Sequence, residues 1–449
     1  MDKNKMGIMP IPKLITTMAL PVIFSMLIQA LYNVVDSIYV SRVSDNALEA
    51  LSLAFPMQLI VIAAFVGLGT GLSSAISRRL GAKESEGAGL VAEHGILIAG
   101  ILYALVALLG AFVMKNLFVQ FTSDQVVIDL GSTYIQIVMI FSLGSIFNQA
   151  AMSIFRGTGD MIKPMVAQML GAGLNIFLDW VLIFGKFGLP AMGVKGAAIA
   201  TVTAQIIAMI YIWSQLLSGK SIIKMKIKAF KVKVEIIKEI LVVGVPSAIM
   251  QGLGSVMLFT MNLILSRFGG SAVTVMGVYF KVQSMVFMPI FGLAIGTMPV
   301  VGFNYGSKNK KRIKDAVLFS IKVAIAFMSI CLVVFQVFPT QLLGLFNASN
   351  QMLEIGVPAF RTISLIFPLF AVNVILSTTF QGLGKAYFSL IISTIRQIVV
   401  LLPIAFLLAS FGNVDNVWFA FVIAEIVGII ITVSLFLRTY KRTISIWQD

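Results

Sequence analysis

Apolar stretches long enough to cross a bilayer recur along the whole of this chain. A helix needs about 20 apolar residues to span the hydrocarbon core. Such stretches lie at about 14–40, 47–77, 89–114, 127–151, 161–184 and 192–216, and again at about 237–265, 272–303, 313–338, 353–380, 386–410 and 415–437. Backbone groups in lipid must be satisfied internally, so a spanning segment is a helix or part of a closed barrel. Barrel strands alternate apolar and polar residues over about 10 positions, and these stretches do not. The reading is an all-α polytopic membrane protein with twelve transmembrane helices. Composition agrees: 59% of the 449 residues are hydrophobic and 11% charged. A soluble domain is roughly 45–50% apolar and about 25% charged, and could not hide this much apolar surface.

The formal net charge is +15. In a soluble protein that would suggest nucleic acid. In this chain the basic residues cluster in alternate connections: Arg78, Arg79 and Lys83; Arg156 and Lys163; Lys308, Lys310, Lys311, Arg312 and Lys314; Lys385; Arg438, Lys441 and Arg442. The linker adds Lys220, Lys224, Lys226, Lys228, Lys231, Lys233 and Lys238, whereas the opposite connections hold only Arg42, Lys115, Lys186, Lys195 and Arg267. The positive-inside rule accounts for this asymmetry. It places both termini and the linker in the cytoplasm, and it leaves no call for a nucleic-acid partner. A single cysteine, Cys331, and a single histidine, His94, exclude an internal disulfide and any Cys- or His-rich metal site. The first apolar run follows Lys3, Lys5 and Lys13 and continues to about Val40, too long for a signal-peptide core.

An internal repeat organises the spans. At an offset of 225 residues, Pro21 meets Pro246, Ser41 and Arg42 meet Ser266 and Arg267, and Gly67 and Gly71 meet Gly292 and Gly296. Asn148 meets Asn373, and Phe155, Gly157 and Gly159 meet Phe380, Gly382 and Gly384. A loose match between hydrophobic segments would not keep prolines and glycines in phase. Each half carries six spans, an even number, so both halves start on the same side. The repeats are therefore parallel, and transporters built this way hold substrate at the interface of the repeats. The expected domains are a first six-helix lobe at 1–218, a basic cytoplasmic linker at 219–236 and a second lobe at 237–449.

A charge at the bilayer centre costs about 2.5–3.5 kcal/mol on insertion scales, so each needs a reason. The acidic residues within spans are Asp36, Asp179 and Glu425. Asp36 shares a helical face with Gln29 and Asn33, and Gln168, Gly171, Asn175 and Asp179 form one stripe on the fifth span. Thr201 and Gln205 make a shorter polar face on the sixth span, and Tyr134 lies in the fourth. A polar stripe on an apolar helix faces protein or a water-filled cavity. Two carboxylates in one apolar lobe can take up a proton, or hold Na+ with amide and hydroxyl oxygens completing the shell. Asp36, Asn175, Asp179, Thr201 and Tyr134 are accordingly the candidate cation-coupling residues, the first four of them forming the metal site if the ion is Na+. Gln29, Asn33, Gln168, Gln205, Asn148 and Met261 are candidates to line a substrate cavity.

The repeat makes this site asymmetric, because Asp36 corresponds to Met261 and Asp179 to Ile404. The second half instead has Lys281, Lys322, Arg361, Arg396 and Glu425 in or near spans, with Glu425 a partner for one of these cations. Pro21 removes a backbone hydrogen bond about four turns before Asp36, where the first helix can kink. No nucleotide-binding lysine loop, His-based metal site or paired-acid motif supports an enzyme, and no cofactor is expected. Arg156-Gly-Thr-Gly-Asp160 has the twin Gln381-Gly-Leu-Gly-Lys385, which makes it a duplicated turn and not a phosphate loop.

These residues taken together resemble the multidrug and toxic compound extrusion (MATE) family, and within it the MepA-like branch. The resemblance covers nearly the full length. It rests on Pro21 followed by Asp36, on Arg156 to Asp160 before the fifth span, on Asn175 with Asp179, and on Pro299-Val-Val-Gly-Phe-Asn-Tyr-Gly306 ending the eighth. It implies a V-shaped pair of six-helix lobes and secondary active export of organic cations and amphipathic drugs in exchange for H+ or Na+. It also implies a cation site in the first lobe at Asp36, Asn175, Asp179 and Thr201, with Tyr134 nearby. Some members carry further acidic residues in the second lobe; Gln251 occupies the corresponding part of the seventh span here. A monomer in the cytoplasmic (inner) membrane is expected. The rival reading is a flippase for a lipid-linked saccharide or cell-wall precursor, whose anionic substrate would call for Lys281, Arg361 and Arg396 in the cavity.

Overall fold

The computed structural model describes residues 4–218, 221–225 and 230–447; Lys3 and the linker residues Lys220, Lys226 and Lys228 lie outside them. The apolar stretches form helices throughout. The first half comprises α1 (Ile11–Ser41), α2 (Asp45–Gly81), α3 (Ser85–Phe112), α4 (Gln125–Ile140), α5 (Leu143–Thr158), α6 (Ile162–Phe184) and α7 (Gly193–Leu217). The second comprises α8 (Val234–Leu265), α9 (Gly270–Gly306), α10 (Lys310–Val337), α11 (Asn350–Ser364), α12 (Phe367–Gly382), α13 (Ala386–Ala409) and α14 (Val414–Thr439). Among the described residues ten helices are long and apolar enough to cross a membrane, and the total is twelve when each of two bent pairs, α4–α5 and α11–α12, is counted as one span.

The sequence predicts unbroken helices at 127–151 and 353–380. The structure instead bends them by 46° and 50°. The bends fall at matching places in the repeat, after Ile140 and after Ser364. In the second, Pro368 sits in the first turn of α12, where its missing N–H costs nothing at a helix start and would cost a hydrogen bond in an unbroken span.

The repeat is written into the backbone as well. Lys83 and Lys308, Phe187 and Gly412, and Gly159 and Gly384 are pairs of left-handed residues, each pair 225 positions apart. Close helix crossings are repeated too. A Cβ on Gly292 would lie 3.0 Å from Ile23 Cα, and one on Gly67 3.1 Å from the backbone nitrogen of Ala248, the residue 225 positions after Ile23. These small residues let two backbones touch, the usual device of helix packing in membranes.

Contacts divide the described chain into two compact units. One holds residues 24–248, and the other residues 1–23 with 249–449. The divisions fall inside α1 and α8, two residues beyond Pro21 and Pro246. In the first-named unit the opening of α8 is held to α2 by Arg78 and Arg79, whose guanidinium groups meet the Glu239 carboxylate at 3.2 and 2.7 Å. In the other, Arg312 donates to the carbonyl oxygens of Met6 and Met9 at 3.1 and 2.8 Å, fixing the segment that leads into α1. That unit also contains an aromatic core: Phe287 stacks on Phe370 at 4.2 Å, and Tyr279 meets Phe360 edge-on at 5.4 Å.

Candidate functional site

α6 and α7 pack extensively against each other. Asn175 and Asp179 lie one turn apart on α6, and both are buried. Asn175 Nδ2 donates to Thr201 Oγ1 on α7 at 3.2 Å. The remaining polar atoms of this group are not satisfied. Asn175 Oδ1 and both carboxylate oxygens of Asp179 are buried without a hydrogen-bond partner among the described residues. Asp36, half-buried on α1, contributes a fourth such oxygen, Oδ1.

Asp36 acts electrostatically on Asp179, and both carboxylates act on the hydroxyls of Tyr32 and Tyr134. Tyr134, on α4, accepts a hydrogen bond from Gln58 Nε2 at 3.3 Å. Four helices thus bring Asp36, Tyr32, Tyr134, Asn175, Asp179 and Thr201 into one neighbourhood within the unit of residues 24–248. Tyr32 and Gln58 were not among the residues predicted. Tyr32 lies one turn before Asp36, a spacing that could have found it. Gln58 showed no signal beyond its match to Gln283 in the repeat.

Burying an ionised carboxylate with neither a donor nor a counter-charge is costly. The oxygen set around Asp36 and Asp179 suits two neutralising species. One is a proton. The other is a small hard cation, whose preferred ligands are oxygens.

The candidate cavity residues are spread more widely. Gln29 and Asn33 are exposed on α1, and Gln168 is half-buried on α6. Gln205 on α7 and Asn148 on α5 each hold a buried side-chain oxygen without a partner among the described residues. Met261 is fully buried in the other unit.

The second half answers the question of Glu425. Its Oε2 accepts from Arg396 Nη1 at 2.6 Å and its Oε1 from Asn373 Nδ2 at 2.9 Å. Thr432 Oγ1 donates to Asn373 Oδ1 at 2.7 Å. Arg361 is exposed and donates from Nε to the Gln336 carbonyl oxygen at 3.2 Å. Lys281 and Lys322 are exposed.

Comparison with known proteins gives a consistent result. The MatE family model matches residues 21–181 and again 246–407, one match in each half of the repeat. The multidrug export protein MepA of Staphylococcus aureus (strain MRSA252) is 26% identical over 430 residues, spanning 93% of this chain and 91% of that protein. The FAD transporter of Shewanella oneidensis is 24% identical over 432 residues, 94% of either chain. A solved outward-facing multidrug resistance MATE family transporter of the MOP superfamily superposes with a TM-score of 0.91 at 29% identity, covering 98% of each chain.

Proposed function

The chain belongs to the MATE family of multidrug efflux transporters, and on that premise we propose that it exports organic cations by exchange with H+ or Na+. Asp36 and Asp179 are the coupling carboxylates in this reading. It is carried by one observation: Asp179 is fully buried, yet neither of its carboxylate oxygens has a partner among the described residues. A structural carboxylate would be paired. An exchangeable ion needs a site that the protein leaves unpaired.

The electrostatics supply the coupling. Loading a proton or Na+ neutralises the pair, and unloading restores its negative charge. An organic cation is drawn to the unloaded, charged state and gains little from the loaded one. Ion and drug therefore favour different states of the protein, the differential affinity that an exchange requires. Each charge moving inward down a potential of about 100 mV yields about 2.3 kcal/mol, enough for roughly a 50-fold drug gradient. An electroneutral exchange would draw on the ion gradient instead. Asn175, hydrogen-bonded to Thr201, holds its amide oxygen beside Asp179 as a further ligand. Pro21 lets α1 bend, so that ion loading at Asp36 is felt along the helix. The distribution of Lys and Arg supports an orientation in the cytoplasmic (inner) membrane with both termini inside, and the same reading takes the transporter as a monomer.

The test is ethidium efflux from cells lacking their own pumps, comparing the wild type with Asp179→Asn at matched membrane expression. Extrusion by the wild type and none by the variant is the expected result. Wild-type cells that retain several cationic dyes would sink the reading. A second reading, movement of an anionic substrate such as a lipid-linked saccharide, draws some support from the FAD transporter relative. It is weakened because Arg396 and Arg361 already have protein partners.

A further inference from the structure

The fifth and sixth helices of each half carry that half's buried charge, but the two pairs are built differently. On α6 the polar stripe runs through Gly171, Asn175 and Asp179; at the same repeat positions α13 has Arg396, Val400 and Ile404. On the partner helices, Ala200 of α7 corresponds to Glu425 of α14. The second half therefore has no carboxylate on its fifth helix, one on its sixth, and an arginine against it.

Three features build the place for that arginine. Residues Ile395–Leu401 form a π-helical turn, where the corresponding stretch of α6 is regular α-helix. Such wide turns are rare and gather at functional sites. Gly428 clears the way for the side chain, since a Cβ there would lie 2.8 Å from Arg396 Cδ. The guanidinium also sits 5.6 Å from the centre of the Phe370 ring. Arg396 and Asn373 each donate to one oxygen of Glu425, so both oxygens have a protein partner and the negative charge has a cation beside it.

We propose that Arg396 is the resident counter-cation of a closed cation site in the second half, taking beside Glu425 the place that an exchangeable ion takes beside Asp36 and Asp179. Ion exchange then runs through the first half alone, and the chain carries one exchangeable site where its duplicated scaffold has room for two. The functional meaning of this inference rests on the antiport reading above. The ion stoichiometry it predicts does not, because uptake can be measured without transport.

The experiment uses the full chain in lipid nanodiscs without drug, measuring 22Na+ binding, and proton uptake from the infrared band of protonated carboxyl groups. Glu425→Gln should leave uptake at the wild-type level. Arg396→Gln should add one proton or Na+ per chain, and Arg396→Gln combined with Glu425→Gln should remove that gain. Reduced uptake in Glu425→Gln overturns the proposal, because Glu425 would then itself be an exchangeable site. So does a folded Arg396→Gln protein with no gain, or a gain that survives loss of Glu425. Should Arg396→Gln fail to fold, Glu425→Gln decides the matter alone. Asp179→Asn separates the two readings. Unchanged uptake in that variant counts against Asp179 as the coupling group, while the Glu425 result still stands on its own.

Discussion

The two halves of this protein share a backbone plan and differ in how each treats a buried acid. In residues 24–248, Asp179 is buried, both its oxygens lack a partner among the described residues, and a second carboxylate, Asp36, acts on it. In the other unit, Glu425 is buried just as deeply but is bonded to Arg396 and Asn373. The contrast separates two uses of a charge in a membrane. An acid paired inside the protein is structural and costs stability when its partner is removed. An acid left unpaired keeps its electrostatic demand for an ion from outside.

The comparison breaks most sharply at Asp179. Asp179→Asn keeps the shape and removes the charge, so export should fall by roughly tenfold or more, since about 1.4 kcal/mol of lost coupling is already a factor of ten. Its thermal unfolding in detergent should stay at or above the wild-type temperature, because no protein partner is lost. A loss of stability in that variant would show that the acid is structural after all.

Arg396→Met should show the opposite pattern. Leaving Glu425 buried without its cation should cost about 3–5 kcal/mol, while replacing both partners by apolar residues of similar size should cost far less. Thermal unfolding of Arg396→Met and of Arg396→Met/Glu425→Leu measures the difference. Equal destabilisation by the single and double variants would argue against a buried pair.

The glycine crossings test the part that the halves have in common. Gly67→Val and Gly292→Val, at matching positions of the repeat, should each destabilise by about 1–3 kcal/mol through overpacking, and by similar amounts. Markedly unequal losses would mean that the two crossings are not equivalent in strength. The smallest effect is expected from Asn175→Ala. Its bond to Thr201 crosses from α6 to α7, and such bonds between membrane helices average about 0.6 kcal/mol. Stability should barely move, whereas Na+ or proton uptake should weaken if the amide oxygen is a ligand.

Much of the candidate site could be read from periodicity. Asn175 and Asp179 announce themselves as a polar stripe in an apolar helix, and Asp36 as a charge with no reason to face lipid. Tyr32 and Gln58 could not be singled out, because an aromatic or amide side chain within a span has several ordinary uses and only its neighbours tell them apart. The pairing of Glu425 was open for the same reason. Four cations in the second half were available to it, and three of them, Lys281, Lys322 and Arg361, turn out to be exposed. The bends at α4–α5 and α11–α12 were also missed, since hydropathy is unchanged across them.

Span number, the all-helical architecture and the six-plus-six duplication follow from the sequence by itself. Each depends on quantities that run along one dimension: the length of apolar runs, and the recurrence of proline and glycine at a constant offset. The tertiary structure alone decided which buried acid is neutralised within the protein and which is not. It also assigned residues 11–23 of α1 and 234–248 of α8 to the units they pack in. A counter-charge about 30 residues away along the chain, or a glycine crossing more than 170 residues away, becomes a partner only when the packed helices bring the two within a few ångströms.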